Sequence, residues 1–245
     1  MTRRGLSFCP ALCALLLLAT ACADGEGGSD GELQNGQFGY HCTSDRDPMC
    51  GPDGAFPEGQ LRTMPNTVAV GGEFGVAFRA VSSAAQDGSA LIQPVSSDLL
   101  SGGAGPEPTF TALKPGFAGL LALRGSTVVD VIHVRILPID HVRIDAHTGT
   151  SGSVVTGAPS VTVGAGVQVD LSAAAADEGD GTLAGTLDHA WSSDDSSIAE
   201  ILSSPTTDEI TVRGGKAGET TIRATIDGVE GSISVVVPGG PGGSP

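Results

Sequence analysis

The chain has 245 residues, a length that allows one large domain or two small ones. Glycine is frequent, with 37 residues, while aromatic side chains make up only 4% and charged side chains 16%, a composition typical of short strands joined by glycine turns. Lysine and arginine together number 12 against 28 aspartates and glutamates, and the net charge of −16 argues against binding to nucleic acid or to anionic lipid.

Residues 1–21 have the pattern of an export signal. Two arginines precede an apolar run over residues 8–21, which is too short to span a bilayer as a stable helix. The run ends in Leu18-Ala19-Thr20-Ala21-Cys22, which resembles the lipobox of bacterial lipoproteins and implies cleavage before Cys22 and acylation of that cysteine. The alternative is an ordinary cleaved signal with an incidental cysteine. Cleavage removes two arginines and no acidic residue, so it lowers the net charge from −16 to −18.

Lipid on Cys22 would anchor the protein in a membrane. Each buried methylene contributes about 0.8 kcal/mol, and several acyl chains together give a stable anchor. Ala23 follows the cysteine, whereas aspartate at this place marks lipoproteins that stay in the inner membrane. The resemblance therefore implies a lipid-anchored protein of the cell envelope, and one of the outer membrane if the cell is Gram-negative. The sequence leaves open whether it faces the periplasm or the exterior.

Five segments are predicted after the signal. Residues 22–36 are acidic and glycine-rich without apolar periodicity, and they predict a flexible tether. Residues 37–57 are predicted to form a small disulfide-closed segment. Two sandwich domains are predicted over 58–138 and 139–237, and residues 238–245, rich in proline and glycine, predict a disordered tail or linker.

The disulfide prediction follows from the five cysteines of the chain. Two lie within the signal and Cys22 takes lipid, so Cys42 and Cys50 remain as one pair in an exported protein, where a disulfide is expected. A metal site is the weaker alternative, because only His41 adjoins the pair. A redox-active pair usually has the tighter Cys-x-x-Cys spacing.

Residues 58–138 are predicted to be a divergent copy of residues 139–237. Such internal repetition indicates two units of one architecture. The alignment sets Val95 at the place of Trp191. The matched stretches are 70–78 with 163–171, 94–98 with 190–194, and 110–116 with 212–218.

Alternating residues predict the strands of the second domain. Such a run extends from Glu219 to Ile226, and a period of two places one set of side chains inward and the other outward. The dipeptide Asp227-Gly228 predicts a hairpin turn into a last strand at Ser232–Val237. The inward set is Thr220, Ile222, Ala224 and Ile226.

Trp191 is the only tryptophan of the chain and is predicted to fill the core between the two sheets. Its expected neighbours lie on the apolar phase of their strands. The alternative role for Trp191 is stacking on a ligand. Truncation of this side chain is expected to unfold the second domain and to leave the first nearly unaffected. The expected neighbours are Val169, Leu171, Ile222 and Ala224.

The stretch from about 140 to 237 resembles the bacterial Ig-like domain group 2 (BIG2) family. This resemblance implies an immunoglobulin-like sandwich of the kind found in bacterial surface proteins, and it brings no catalytic residues. The predicted fold class is therefore all-β, with two Ig-like sandwiches after the signal and tether. The residues that carry the resemblance are Trp191-Ser192-Ser193-Asp194, Ile198-Ala199, Val212, Lys216-Ala217-Gly218 and Ile222-Arg223-Ala224.

The sequence contains no recognised catalytic motif. His-Glu-x-x-His zinc signatures, Gly-x-Ser-x-Gly elbows and phosphate-binding loops are absent, so we predict no catalytic residues, no metal and no cofactor. Acidic turns at 177–181, 194–195 and 208–209 offer oxygen ligands of the kind that calcium prefers. None has EF-hand spacing, and solvated loops are the favoured interpretation.

The predicted function is that of a lipid-anchored envelope protein whose Ig-like domains serve adhesion, interaction or spacing. Its partner would be a protein or a polysaccharide, although the last strands offer no row of aromatic side chains for stacking on sugars. The alternative is an accessory or binding subunit of an envelope enzyme or transport system. An autonomous enzyme is the least favoured interpretation.

Overall fold

The computed structural model describes residues 28–50, 62–81, 90–148 and 153–239. Every regular element within these ranges is a β-strand, and the strands form four sheets. In this part of the chain no helix has the length and apolar character needed to cross a membrane. The predicted signal and Cys22 lie outside the described residues.

The first nine strands form one sandwich of two sheets. One sheet has the order β1-β2-β4-β7-β6 and the other the order β3-β9-β8-β5. Neighbouring strands are antiparallel, except that β3 pairs in parallel with β9. The bounds are β1 Ser29–Asp30, β2 Gly36–His41, β3 Thr67–Ala69, β4 Glu73–Ala80, β5 Leu91–Pro94, β6 Leu100–Gly102, β7 Thr109–Ala112, β8 Gly116–Arg124 and β9 Thr127–Leu137.

The remaining nine strands form the second sandwich. Its sheets have the orders β11-β10-β13-β16-β15 and β12-β18-β17-β14, and β12 pairs in parallel with β18. The bounds are β10 His141–Thr148, β11 Ser153–Val155, β12 Ser160–Thr162, β13 Gln168–Ala176, β14 His189–Ser193, β15 Ala199–Ile201, β16 Glu209–Gly214, β17 Gly218–Ile226 and β18 Val229–Val237.

The two sandwiches repeat one topology. Strands β2, β3 and β4 correspond to β10, β12 and β13, and β5 to β9 correspond in order to β14 to β18. In both sandwiches one sheet has the order of strands A, B, E and D of an immunoglobulin domain, and the other contains strands G, F and C with a short parallel strand added. The predicted all-β fold with two Ig-like sandwiches is therefore confirmed.

The hairpin of β17 and β18 shows how the sequence produces these strands. Its inward side chains are buried and alternate with partly exposed ones, as the period of two predicts. Asp227 and Gly228 both have positive φ, at 50° and 87°, which a two-residue type I′ turn requires. The buried set is Thr220, Ile222, Ala224 and Ile226.

The two cores are filled differently. The first core includes four buried aromatic rings among aliphatic side chains, and the centroid of Phe74 lies 6.0 Å from those of both Tyr40 and Phe110. The second core is aliphatic apart from Trp191. The two sandwiches therefore have the same strand order but enclose core side chains of different size and shape.

The N-terminal part of the described chain differs from the prediction of a tether at 22–36 followed by a separate segment at 37–57. Strand β1 pairs with β2, and β2 pairs along its whole length with β4 of the first sandwich. The amides of Leu33 and Asn35 donate to the buried carboxylate of Asp130 at 2.9 and 2.8 Å. This polar segment is ordered because a distant strand supplies acceptors for its amides.

The prediction that Val95 occupies the place of Trp191 is wrong. Trp191 pairs with Ala224, and the corresponding pair in the first sandwich is Ile92 with Ala122. Ile92 is 0% exposed, whereas Val95 is 62% exposed. The shared Ser-Ser-Asp sequence lies after β5 but overlaps the end of β14, so matching it shifted the sequence alignment by three residues. The core position of the tryptophan is taken by isoleucine.

Candidate functional site

The connection between β13 and β14 joins the second sandwich to the first. The amide of Ala184 donates to the carbonyl of Thr67 at 3.1 Å, and its carbonyl accepts from the amide of Ala69 at 3.0 Å. Thr186 and Glu73 exchange two further backbone hydrogen bonds, of 2.7 and 3.1 Å. The junction therefore continues the backbone hydrogen bonding of the first sandwich.

Apolar side chains also cross this junction. Ala184 of the second sandwich is buried in the first core, and Ala69 of the first sandwich is buried in the second core. Leu183 and Leu187, on either side of this contact, belong to the second core. Moving one sandwich relative to the other would expose this apolar surface, which opposes the free motion expected of domains joined by a polar linker.

Two glycines permit the closest approach of the two sandwiches. Gly185 has a φ of 108°, a conformation that favours glycine. A Cβ atom on Gly185 would lie 2.9 Å from the Cα of Gly72, closer than real side chains pack. A Cβ atom on Gly72 would lie 3.3 Å from the Cα of Gly185, a tight contact, so the approach of the two backbones depends chiefly on Gly185.

The predicted disulfide between Cys42 and Cys50 is present, with the two Cα atoms 5.9 Å apart. It closes a loop that begins where β2 ends, and this loop faces the second sandwich. The contacts are Thr43 Oγ1 to Thr186 Oγ1 at 2.9 Å, Arg46 Nη1 to Asp188 Oδ1 at 2.9 Å, and the amide of Gly185 to Asp47 Oδ1 at 3.3 Å. The loop is thus part of the junction, a role that the sequence did not indicate.

Asp47 lies within this loop and is 0% exposed. Its carboxylate accepts hydrogen bonds from the hydroxyl of Tyr40 and from the amides of Met49 and Gly185. Burial raises the pKa of the Asp47 carboxyl above its ordinary value, although these hydrogen bonds act in the opposite direction. Burial also raises the pKa of the Tyr40 hydroxyl. The loop therefore holds a carboxyl group whose charged form is costly in the folded state.

A polar cleft of about 280 Å³ opens at the junction. Its walls carry the carboxylates of Glu73, Asp188 and Asp227 and the guanidinium of Arg46, which pairs with Asp188. In this lining the hydroxyl of Ser44 donates to the exposed carboxylate of Asp45 at 3.1 Å. Within the described ranges, no three histidine, cysteine, aspartate or glutamate side chains are placed to hold a metal ion.

Trp191 lies in the second core and is 6% exposed. Its indole N–H donates to the carbonyl of Thr207 at 2.8 Å, which satisfies the polar atom of the ring. The four neighbours expected from the sequence belong to the same buried cluster: Val169, Leu171, Ile222 and Ala224.

The acidic turns make local contacts. Asp177 Oδ1 accepts from the amides of Gly179 and Gly181, at 2.9 Å each, and so closes its own turn. Asp194 pairs with Arg223 at 3.0 Å, and this hydrogen bond holds the pKa of the Asp194 carboxyl below its ordinary value. These contacts give the carboxylates a structural use in the fold.

The outward faces of the two corresponding sheets differ in polarity. In the first sandwich, the face of β5, β8 and β9 is largely apolar, and Phe117 on it is 69% exposed beside the guanidinium of Arg135. In the second sandwich, the matching face carries threonines, serines and the Arg223 ion pairs. The partly or fully exposed apolar side chains of this face include Leu91, Val95, Phe117, Leu121, Leu123, Val128 and Val131.

No protein-family model matches this chain, and no curated protein matches it. Among solved structures, the chain is similar to domains 4 and 5 of the S-layer protein SbsC, at 18% identity over 65% of this chain and 82% of that chain, with a TM-score of 0.33. It is also similar to the Yersinia pseudotuberculosis adhesin InvE, at 14% identity over 71% of this chain and 56% of that chain, with a TM-score of 0.30.

A third similar structure is the C-terminal 282-residue fragment of intimin, in complex with the intimin-binding domain of the translocated intimin receptor. The identity is 16%, over 71% of this chain and 61% of that chain, and the TM-score is 0.31. The chain thus spans less than two thirds of the intimin and InvE structures. The Ig-like assignment rests on the strand order of the chain itself.

Proposed function

We propose that the chain is a lipid-anchored protein of the bacterial cell envelope in which two Ig-like sandwiches serve as a spacer and interaction module. This proposal rests on the contacts at the junction between the two sandwiches. Backbone hydrogen bonds, apolar side chains and a disulfide-closed loop join the sandwiches, and a module that presents a binding surface at a set distance needs such a connection. The BIG2-like residues of the second sandwich and the lipobox-like end of the signal support the same function.

The position of strand β1 limits how far the module lies from its anchor. Lipid on Cys22 would leave only residues 22–27 before the described chain begins at Gly28. A fully extended chain spans at most about 3.3–3.6 Å per residue, so this connection reaches roughly 20 Å. The first sandwich would therefore lie close to the membrane surface.

Replacement of the acylated cysteine tests the anchor. Cys22→Ser should move the protein from the membrane fraction to the soluble fraction, because the acyl chains supply the membrane affinity. Cys13→Ser is the matched control, since it changes a cysteine that leaves with the signal. Unchanged membrane fractionation of Cys22→Ser would refute the lipid anchor.

Partner capture tests the interaction function. The acylated protein is cross-linked in intact cells and purified, and its partners are identified by mass spectrometry and carbohydrate analysis. Recovery of a surface protein or polysaccharide would support an adhesion or spacer module. Stoichiometric recovery of an envelope enzyme or transporter subunit would instead support an accessory subunit.

A further inference from the structure

The disulfide-closed loop lies between the two sandwiches rather than within one of them. It extends from the end of β2, a strand of the first sandwich, and its contacts reach the β13–β14 connection of the second. Three residues of the loop, Thr43, Arg46 and Asp47, each supply one of these contacts. A bond that closes the loop therefore acts on the geometry of the junction.

We propose that the loop from Cys42 to Cys50 is a redox-sensitive clasp that holds the β13–β14 connection against the first sandwich. The disulfide restricts the conformations open to the loop and so positions its donors and acceptors before they meet the second sandwich. Without the bond, the loop must be ordered at the cost of chain entropy. The junction then opens more often, while the hairpins β8–β9 and β17–β18 stay paired.

Asp47 links the disulfide directly to the second sandwich. Its backbone carbonyl accepts from the amide of Cys50 at 2.7 Å, and its side chain accepts from the amide of Gly185 at 3.3 Å. The side chain is also fixed by the hydroxyl of Tyr40. Releasing Cys50 therefore weakens one of the contacts that position the residue bonded to Gly185.

A dithiol is the class of reductant that opens the clasp. Cys50 is buried and Cys42 is partly exposed, so a thiolate of the reductant attacks Cys42 Sγ, and the Cys50 thiolate leaves and takes up a proton. The second thiol of the reductant then displaces Cys42 from the mixed disulfide. Two electrons pass to the protein, both cysteines end as thiols, and the reductant ends as a cyclic disulfide.

Hydrogen exchange measured by mass spectrometry on the full mature chain in detergent tests the clasp. Treatment of the folded protein with dithiothreitol should speed exchange at the amides of Ala184, Gly185 and Thr186 by about tenfold or more. The hairpins β8–β9 and β17–β18 should keep their protection. The double variant Cys42→Ser/Cys50→Ser should show the fast rates with and without reductant.

Two results would overturn the proposal. Unchanged exchange at Gly185 and Thr186 after complete reduction, verified by alkylation of both thiols, would show that the disulfide does not hold the junction. Loss of protection throughout the first sandwich would show that the bond only stabilises that sandwich. Arg46→Ala keeps the disulfide but removes the contact to Asp188, so it should loosen the same amides even if the double variant does not fold.

Discussion

Trp191 shows how much a single side chain contributes to a core that has few large ones. No phenylalanine or tyrosine occurs after Phe117 in the sequence, so the indole is the single aromatic ring available to the second core. It is buried against aliphatic neighbours, and its N–H bonds to Thr207. The ring therefore contributes both apolar area and a satisfied polar atom.

Trp191→Ala should lower the free energy of unfolding by about 3–5 kcal/mol, because it removes a buried ring and leaves a cavity. Urea unfolding followed by circular dichroism measures this loss. Trp191→Phe is the control, since it keeps a buried aromatic ring while it loses the bond to Thr207 and part of the apolar volume. The tryptophan fluorescence of the unaltered native protein should be blue-shifted and weakly quenched by iodide. An unchanged urea midpoint for Trp191→Ala would contradict the core role of this side chain.

Asp47 illustrates a charge that the fold buries at a cost. Its folded-state pKa is raised above the ordinary value of 3.8, so the folded protein binds this proton more tightly than the unfolded chain does. The contribution of the Asp47 carboxyl to the free energy of unfolding is therefore fully present below about pH 3.8. It is lost as the pH rises through the pKa of this group in the folded protein. Tyr40 faces the carboxyl, and the positive charge of Arg62 opposes the shift.

Asp47→Asn should remove this dependence on pH, because the amide keeps an oxygen acceptor for Gly185 and has no proton to lose. The melting temperature of the variant minus that of the unaltered protein should increase as the pH rises from 4 to 7. Calorimetry at several pH values measures this difference. A difference that stays constant across the range would show that the Asp47 carboxyl does not titrate as its burial implies.

At the scale of single elements, the β13–β14 connection fixes the second sandwich to the first. It bonds through its backbone to the first sandwich on both sides of Gly185. Its path depends on the close contact between Gly185 and Gly72. A side chain at Gly185 would separate the two backbones.

Gly185→Ala should destabilise the junction more than a glycine replacement in an open turn. Positive φ alone costs about 1–2 kcal/mol for a residue with a Cβ atom, and overlap in a packed site adds about 1–3 kcal/mol. Gly228→Ala is the matched control, because Gly228 also has a positive φ, at 87°, but an added Cβ meets nothing within 4 Å. Equal losses for the two variants in chemical denaturation would argue against a close approach at Gly185.

At the scale of the whole molecule, the sandwiches share residues between their cores. Ala184 completes the first core and Ala69 completes the second. Unfolding of the second sandwich withdraws Ala184 and the backbone partners of Glu73 from the first. The structure therefore argues against the sequence-based expectation that loss of Trp191 leaves the first sandwich nearly unaffected.

The oxidised protein should accordingly unfold in one cooperative transition, and Trp191→Ala should weaken both sandwiches. Hydrogen exchange of peptides from β8–β9 and from β17–β18, followed through thermal unfolding, reports on each sandwich separately. Ala69→Gly replaces a residue of the first sandwich and removes its methyl group from the core of the second, so it should shift both signals in the same direction. Full protection of β8–β9 after the second sandwich has unfolded would show that the two are independent.

The sequence alone determined the features that depend on neighbouring residues. Alternation of period two sets the faces of β17 and β18, and Asp227-Gly228 sets their turn, because both are consequences of local backbone geometry. The Cys42–Cys50 pair followed from the number of cysteines left after processing. The core position of Trp191 followed from its size and from the apolar phase around it.

Only the tertiary structure decided how these elements meet. Asp130 orders Leu33 and Asn35 across more than 90 positions of sequence, Ile92 rather than Val95 takes the place of the tryptophan, and the disulfide loop reaches the second sandwich. Each depends on atoms that approach only after the sheets have packed. No local sequence pattern predicts such contacts. They join residues that are far apart in the chain, so the partner of a buried carboxylate or of a glycine backbone is defined only once the chain has folded.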